Sequence, residues 1–449
     1  MDELLERVRQ AERISEDAPD EAARVCVDVL NEDPDNALAL FLFGTLYARA
    51  ENYGMAYNVM KRVTELAPHR DQAWNNLGMA LEGLGQHEAA RKAFVKAWNQ
   101  NERNPGYAAN VAMTFGSERN HELAKKWAHK ALTLDPGHAG AQSALGFAAL
   151  ATGDWTTGWP AYGYALGGKY RKEIVYGDEP RWDGSPGKHV VVYGEQGLGD
   201  EIMGASCVPD LMRDASSVIV DCDSRLEGLF KRSFPGAFVH GTRRADEVDW
   251  LDQYKIDARC PLMGLPEFYR PTPASCPGAP YLVADPERRL QWRALFDSWG
   301  KRPKIGLCWS GGTKATQATD RDMGWQAFKP LMDAIDADWI SLQYKPCDAG
   351  PIRVFERATL TADYDDTAGL VAELDAVVGV HTAVHHLAGA LGVPGIILVP
   401  PNPCWTYALD PFPWYASARL FRQRKAEAWI DTVRRLAHDP ECLGRLRPA

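Results

Sequence analysis

Hydrophobic residues recur at helical spacing over the first third of the chain, and two columns of residues repeat every 34 positions. One column is apolar and consists of Phe43, Leu77, Val111 and Leu145. The column beside it is small and consists of Gly44, Gly78, Ala112 and Gly146. Small residues are needed where the two helices of a hairpin approach closely, so this spacing predicts a stack of helical hairpins.

Prolines follow the same 34-residue spacing at Pro34, Pro68 and Pro136, with Glu102 at the one position that has no proline. Each proline lies where one unit would end and the next begin. The residues that give this region its resemblance to tetratricopeptide repeats (TPRs) are Trp74, Leu77, Gly78, Gly85, Ala90, Ala97 and Pro136. We predict three repeats over residues 34–135, with one helix before them and a partial unit after them. Four tryptophans at helical spacing are assigned to the core or to a domain seam rather than to ligand binding: Trp98, Trp127, Trp155 and Trp159.

After Lys188 the pattern changes to buried apolar runs, each followed by an amphipathic stretch. Strands are predicted at residues 189–193, 217–220, 256–261, 305–309, 339–343, 376–380 and 396–399. Helices are predicted at residues 200–213, 225–232, 286–299, 325–335, 367–374, 383–391 and 426–436. Two such series predict two Rossmann-like lobes that face each other over a cleft, with ligands at the carboxyl ends of the strands.

The predicted organisation is an α-helical TPR solenoid followed by an α/β region. The solenoid covers residues 1–165 and a linker covers residues 166–187. The first α/β lobe covers residues 188–285, and the second covers residues 286–449.

Composition narrows the class of protein. The 449 residues are 45% hydrophobic and have a formal net charge of −10, which gives no general attraction to the phosphates of nucleic acid. The N-terminus is charged from its second residue, and no apolar run approaches the length that spans a bilayer, so a cytoplasmic location is expected. The nine cysteines form no CxxC pair, which argues against a zinc knuckle and against a disulfide framework.

A glycine-rich loop, GEQGLGDEI at residues 194–202, lies between a predicted strand and a predicted helix. Gly197 and Gly199 permit close approach of the backbone to a ligand, and a helix N-terminus favours an anion. Asp200, at the start of the helix, has two interpretations. It either caps the helix by accepting backbone amides or acts as a general base toward an acceptor hydroxyl.

Further motifs are distributed over both predicted lobes. They are PRWDGSP (180–186), VYGEQGLGDEIM (192–203), CPLMGLP (260–266), IGLCWSG (305–311), DDTAGLVAELD (365–375), HTAVHHLAGALGVP (381–394) and WYASARLFRQ (414–423). With the repeats, they resemble bacterial TPR proteins that have a heptosyltransferase-like, family 9 type glycosyltransferase domain of the GT-B fold. The resemblance covers residues 34–437 and implies an N-terminal acceptor lobe and a C-terminal nucleotide-sugar donor lobe.

The resemblance implies roles for particular residues. Asp200 matches the proposed catalytic base of heptosyltransferases. Thr382 and the helix that begins near Ala383 match the segment that holds the donor's phosphates and sugar, and His386 matches a recurrent family histidine. On a helix face near small residues, His386 and His385 are equally well explained as packed, hydrogen-bonded side chains.

This chain departs from the family at several positions. His381 stands where heptosyltransferase-like sequences usually have Asp, and the His-Thr pair is closer to O-linked N-acetylglucosamine transferases. Met323 occupies the usual position of a basic residue that offsets the leaving diphosphate, so Lys314 and Arg321 are the expected replacements. Thr406 replaces an arginine that the family often has between aromatic residues.

Gln343 and Lys345 follow a predicted strand and are further candidates for donor binding, with solvated loop positions as the alternative. The pair Asp221 and Asp223 forms a DxD pattern that could hold a divalent cation. Because two lobes favour GT-B, we expect no metal and no other cofactor.

The expected function is inverting, metal-independent transfer of a hexosyl or heptosyl group from a nucleotide sugar. The expected acceptor is a hydroxyl of a macromolecule recruited by the repeats, with a protein as the favoured class. One alternative is a non-catalytic TPR scaffold with a degenerate transferase domain. Another keeps the enzyme but changes the acceptor to a modified nucleobase of DNA or a lipid-linked glycan.

Overall fold

The computed structural model describes residues 2–168, 171–243, 245, 248–312, 321–360 and 363–446. The chain divides into two compact units, of which the first comprises Met1–Thr152 and Pro160–Ala165. The second comprises Gly153–Trp159 and Leu166–Ala449. This division differs from the predicted boundary at residue 165 in the placement of Gly153–Trp159.

The first unit is helical throughout its secondary structure. Its helices are α1 (Asp2–Ile14), α2 (Pro19–Glu32), α3 (Ala37–Arg49), α4 (Tyr53–Leu66), α5 (Asp71–Gly83), α6 (His87–Gln100), α7 (Pro105–Ser117), α8 (His121–Leu134) and α9 (Ala139–Ala151), while α10 (Trp155–Gly163) is divided between the units. The predicted helical repeat region is thereby confirmed. Two helices rather than one precede the first predicted repeat, because Pro19 begins a new helix at a position where its missing N–H costs nothing.

The 34-residue columns have the expected packing role. Leu77, Val111 and Leu145 are buried, while the small residues leave room for the facing helix. A Cβ atom added at Gly78 would lie 2.6 Å from the Phe94 ring. The side chains of Asn36, Asn52, Asn104 and Asn120 each accept a backbone N–H at the start of the next helix, which explains the sharp helix starts.

The second unit contains two parallel sheets, which confirms the predicted α/β region. Its first strands and helices are β1 (His189–Tyr193), α11 (Leu198–Ala205), α12 (Val208–Asp214), β2 (Ser217–Asp221), α13 (Glu227–Ser233), β3 (Phe238–His240), β4 (Ala258–Pro261) and α14 (Pro266–Tyr269). Those that follow are α15 (Pro286–Asp297), β5 (Lys304–Cys308), α16 (Lys329–Ala334), β6 (Asp338–Ser341), α17 (Glu356–Thr359), α18 (Tyr364–Val371), β7 (Ala376–Val380), α19 (Ala383–Leu391), β8 (Gly395–Val399), β9 (Ala418–Arg422), α20 (Trp429–Leu436) and α21 (Pro440–Arg445).

The strand orders are β3-β2-β1-β4 and β6-β5-β7-β8-β9, and all the paired strands are parallel. In each sheet the strands that come next in the chain add to one side of the first strand, and the later strands add to its other side. These reversals lie between β1 and β4 and between β5 and β7. Open sheets bind ligands at the carboxyl ends of the strands at such a reversal.

The helix predicted at residues 200–213 is two helices, α11 and α12, and α11 begins at Leu198. Pro209 lies in the first turn of α12 and has no N–H to continue α11. The prediction also missed β3 and β9. The first has only three residues, and the second, ARLFR, includes two arginines, which weaken its apolar pattern.

Candidate active site

The loops at the carboxyl ends of β1 and β7 lead into two helices, α11 and α19, whose first turns contact each other. A Cβ atom added at Gly199 in α11 would lie 3.0 Å from His386 Cδ2 and 3.3 Å from Ala383 Cα. Glycine at position 199 therefore allows the close approach of the two helix starts. The structure thus brings together the predicted residues Gly199, Ala383 and His386.

Asp200 is the third residue of α11, and its Oδ2 accepts a hydrogen bond from the Gly197 backbone N–H at 3.2 Å. Asp200 as a whole residue is half-buried. Burial by the surrounding protein nevertheless raises the pKa of Asp200 to about 6, and the Glu195 charge adds to this rise, while the Arg171 charge opposes it. Asp200 therefore has the helix-capping role and also a proton affinity suited to a general base near neutral pH.

Two tyrosines from the C-terminal part of the chain lie near this carboxylate. Burial is the main cause that raises the pKa of Tyr407 and Tyr415, and the Asp200 charge contributes to both shifts. Neither tyrosine was predicted as a site residue, although the Trp405–Tyr407 and Trp414–Tyr415 pairs are aromatic signals near the end of the predicted donor lobe.

Thr382 precedes α19 and has an extended backbone, with φ −142° and ψ 173°. Its side chain does not cap the helix; its Oγ1 instead donates to Cys308 Sγ at 3.7 Å. A Cβ atom at Gly311 would lie 2.5 Å from Thr382 Cγ2, so the loop after β5 fits closely against Thr382. The arrangement leaves the positive end of α19 without a capping side chain from Thr382.

His381 and Arg321 lie together beside this helix start. Arg321 Nη1 donates to the His381 carbonyl oxygen at 3.1 Å, and the His381 ring lies 4.9 Å from the Tyr407 ring. Arg321 thus supplies a positive charge near the N-terminus of α19. Lys314, the other predicted basic residue, lies outside the described residues.

His386 is buried between the two tyrosines. Its Nε2 lies 2.7 Å from the Tyr407 hydroxyl, and its Nδ1 lies 3.1 Å from the Tyr415 hydroxyl. Burial lowers the pKa of His386 to about 3, so the imidazole is neutral and uses one nitrogen as donor and the other as acceptor. This geometry is that of a packed, hydrogen-bonded histidine.

Gln343 is buried, and its amide contacts the loop after β5. In the amide orientation that gives both the oxygen and the nitrogen a hydrogen-bond partner, the oxygen accepts from Ser310 N at 2.9 Å and the nitrogen donates to Ser310 O at 3.0 Å. Lys345 is exposed, with its Nζ 5.2 Å from the centre of the Tyr344 ring. Gln343 therefore fixes the loop after β5. Lys345 lies at a solvated position, which is one of the two interpretations given from the sequence.

Met323 and Thr406, where the chain departs from the pattern of the family, both pack within the protein. Met323 packs against the core around β5, and its N–H donates to the Trp309 carbonyl at 3.1 Å. Thr406 is buried. Neither position places a charge beside α19.

The DxD aspartates are engaged by side chains. Asp221 accepts from the Tyr176 hydroxyl at 2.6 Å and from Thr242 Oγ1 at 2.9 Å. Asp223 accepts from Arg225 Nε at 2.8 Å and from Arg243 Nη2 at 3.2 Å. Within the described ranges, no group of three or more His, Cys, Asp or Glu side chains is arranged to hold a metal ion.

A family model for the tetratricopeptide repeat matches residues 71–102, which include α5 and α6. One hairpin of the helical repeat region therefore matches the tetratricopeptide repeat. Protein FlbA of Caulobacter vibrioides is 26% identical over an alignment of 450 positions, which covers 93% of this chain and 69% of FlbA.

Solved structures also resemble part of the chain. A crystal structure of MamA is 22% identical, with a TM-score of 0.31, and the match covers 34% of this chain and 88% of MamA. YrrB, described as a TPR protein with an unusual peptide-binding site, is 20% identical, with a TM-score of 0.32 and coverage of 35% of this chain and 82% of YrrB. Among the helices that the structure describes, none has both the length and the apolar character required to cross a membrane.

Proposed function

We propose that the second unit is an inverting, metal-independent glycosyltransferase of the GT-B fold, with β1–β4 in the acceptor lobe and β5–β9 in the donor lobe. The observation that best supports this is the contact between α11 and α19 at the carboxyl ends of the two sheets. It brings a carboxylate with a pKa of about 6 close to a helix start suited to a diphosphate. The ordered motifs at residues 180–423 support the same assignment.

In the proposed reaction, Asp200 accepts the proton of an acceptor hydroxyl. The hydroxyl oxygen forms a bond to C1 of the donor sugar, while the bond between C1 and the diphosphate oxygen breaks. The nucleoside diphosphate leaves with its charge offset by the N-terminus of α19 and by Arg321. Attack from the face opposite the leaving group inverts the configuration at C1.

The repeats indicate a protein-interaction scaffold, because stacked helical hairpins form an extended surface for a peptide or protein. We propose that this surface recruits the acceptor and that the acceptor is a protein. His381 differs from the usual aspartate of heptosyltransferase-like sequences, so a hexosyl or a heptosyl donor is compatible with the site.

The first prediction concerns Asp200. Asp200→Asn keeps the size of the side chain but removes the base, so we expect transfer to fall by a factor of about 10² to 10⁴. Binding of the nucleoside diphosphate, measured by calorimetry, should stay within about twofold of wild type because the proposed diphosphate site is α19. The assay incubates the full chain with UDP-, GDP- and ADP-sugars and measures transfer to copurifying proteins by mass spectrometry.

Asp297→Asn is the matched control, since Asp297 is an exposed carboxylate at the end of α15. It should leave both transfer and binding unchanged. Full transfer activity in Asp200→Asn would remove Asp200 from the mechanism.

A non-catalytic scaffold is the second candidate. The hydrogen bonds that His386 and Gln343 make within the protein favour it, because two predicted donor contacts are already used structurally. A specific ligand stabilises the fold by mass action. The absence of a thermal shift with every nucleotide sugar would therefore favour the scaffold.

A further inference from the structure

A buried ion pair involves the glycine loop from which the proposed base follows. Arg171 Nη2 donates to Glu195 Oε1 at 3.0 Å, and the residues are only 1% and 4% exposed. The removal of two charges from water is costly, and an apolar pair of similar volume often stabilises a fold as well or better. The stability of the fold is therefore a poor explanation for a charged pair at this position.

The pair fixes the glycine loop that leads from β1 into α11. Glu195 accepts from the Lys172 backbone N–H through its carbonyl at 3.0 Å, and its Oε2 lies 3.5 Å from the Met263 backbone nitrogen. Arg171 is itself held by a hydrogen bond from the Gly167 N–H to its carbonyl at 2.8 Å. The segment before β1 and the segment after β4 thus both hold Glu195, which lies in the loop just before Gly197 and Gly199.

The two charges act on Asp200 in opposite directions. After burial, the Glu195 charge is the largest cause that raises the pKa of Asp200, and the Arg171 charge lowers it. On the other side, His386, Tyr407 and Tyr415 are neutral near pH 6, because burial lowers the pKa of His386 to about 3 and raises those of the two tyrosines, while Arg321 beside Tyr407 is positively charged. Among the side chains that the structure describes, these two are the charges that affect the pKa of Asp200 most.

We propose that Arg171 and Glu195 are positioning residues for the proposed transfer reaction, which fix the loop that begins α11 and set the charge around Asp200. This inference rests on the proposed function, since it assigns the pair a role in keeping Asp200 ready to act as a base. Neither residue contacts the reacting atoms in this proposal. Both act through Asp200.

The test is a titration of Asp200 in the full chain, which needs no knowledge of the substrate. Aspartate labelled with ¹³C at the carboxyl carbon gives one resonance for Asp200, assigned by its loss in Asp200→Asn. The wild-type midpoint should lie at about 6. Arg171→Met should raise the midpoint, and Glu195→Gln should lower it, each by about one pH unit.

Two controls separate charge from structure. Arg171→Lys keeps the charge and should keep the wild-type midpoint. Arg181→Met removes a more exposed ion pair with Glu173, 2.8 Å long, from the same segment and should also leave the midpoint unchanged. Unmoved midpoints in both Arg171→Met and Glu195→Gln, or shifts in the same direction, would show a purely structural pair.

If a single variant fails to fold by circular dichroism, the double variant Arg171→Met with Glu195→Gln replaces it. Because Glu195 has the larger effect, the midpoint of the double variant should lie at or below the wild-type value, and a higher midpoint would overturn the proposal. The two proposals fail separately. Absence of nucleotide-sugar binding would overturn the proposed function but leave the measured effect of the pair on Asp200 intact, whereas unmoved titrations in an active transferase would overturn only the role of the pair.

Discussion

At the residue scale, His386 shows how one side chain can fit two interpretations until its neighbours are known. The sequence places it on a helix among small residues, which suits a ligand or a packed histidine equally well. The structure places a tyrosine hydroxyl on each ring nitrogen, and the tyrosines come from positions 407 and 415. No local pattern around residue 386 could identify partners that lie more than twenty positions further along the chain.

Buried neutral histidines predict a dependence of stability on pH. Burial lowers the pKa of His386 to about 3 and that of His385 to about 4, below the ordinary value of 6.5. Below about pH 6.5 the unfolded chain therefore binds protons that the folded chain does not, and stability is lost as the pH falls. Each histidine should contribute about 1.4 kcal/mol of lost stability per pH unit between pH 6.5 and its folded pKa.

The measurement compares denaturant unfolding of wild type and His386→Gln at pH 7, 6 and 5. The variant should have a lower free energy of unfolding at pH 7. On acidification this free energy should fall less steeply than in wild type, by about 1.4 kcal/mol per pH unit, the effect of one proton. Comparison with the variant is needed because Asp200 has the opposite effect on the wild-type slope. Its pKa is raised in the folded chain, so the stability that it contributes is lost as the pH rises. His438→Asn, at an exposed position, should leave the slope unchanged, and an unchanged slope in His386→Gln would refute a neutral His386.

At the element scale, the repeating glycine column was readable from sequence, but its consequences differ from repeat to repeat. A Cβ atom at Gly44 would meet the end of the Met60 side chain at 2.8 Å, whereas one at Gly146 would meet the Tyr162 backbone nitrogen at 2.4 Å. A flexible side chain can move, while the backbone of α10 cannot move without displacing a helix. The column predicts close packing at each position, and only the structure says what is packed there.

This difference gives a matched pair of substitutions. Gly44→Ala should be nearly neutral, because a gain of about 1 kcal/mol in helix propensity offsets the cost of moving Met60. Gly146→Ala should be destabilising by about 1–3 kcal/mol despite the same gain in propensity, because overpacking occurs against backbone. Urea unfolding of the full chain, followed by far-ultraviolet circular dichroism, measures both. Equal effects at the two positions would contradict this account.

Strand and helix positions in the α/β region were predicted well where the strands are buried on both faces. The ranges 189–193 and 376–380 coincide with β1 and β7, since continuous apolar runs are unambiguous there. Prediction was poorer where the local pattern is short or interrupted. The division between α11 and α12 at Pro209 and the three-residue strand β3 are examples.

At the scale of the whole molecule, helix α10 illustrates why domain boundaries are hard to place from sequence. Trp155 and Trp159 continue the helical pattern of the repeats but belong to the second unit. The Trp155 ring lies 5.4 Å from the Trp414 ring, and Trp159 Nε1 donates to the Arg270 carbonyl at 2.8 Å. Helical periodicity reports the local conformation and contains no information about which distant residues cover a given face.

The tryptophans should therefore stabilise the α/β unit. Removal of a buried tryptophan costs about 3–5 kcal/mol, so Trp155→Ala with Trp159→Ala should weaken hydrogen-exchange protection in peptides around Arg270 and Trp414. Protection in α1 and α2 should persist. Trp98→Ala is the control, because Trp98 packs against Trp127 at 5.8 Å and its loss should weaken α6 to α8 instead. Unchanged protection around Arg270 and Trp414 in the double variant would contradict the assignment of these tryptophans to the second unit.

The sequence by itself determined the helical repeats, the change to parallel α/β structure and the positions of the glycine loop and of Thr382, because periodicity and glycine spacing are local properties of the chain. Only the tertiary structure decided that Gly199 lies against α19, that His386 is held by two tyrosines and that Arg171 is paired with Glu195 of the glycine loop. These contacts join residues that are distant in sequence. Burial and neighbouring charge set their chemistry, and both arise only when the chain is folded.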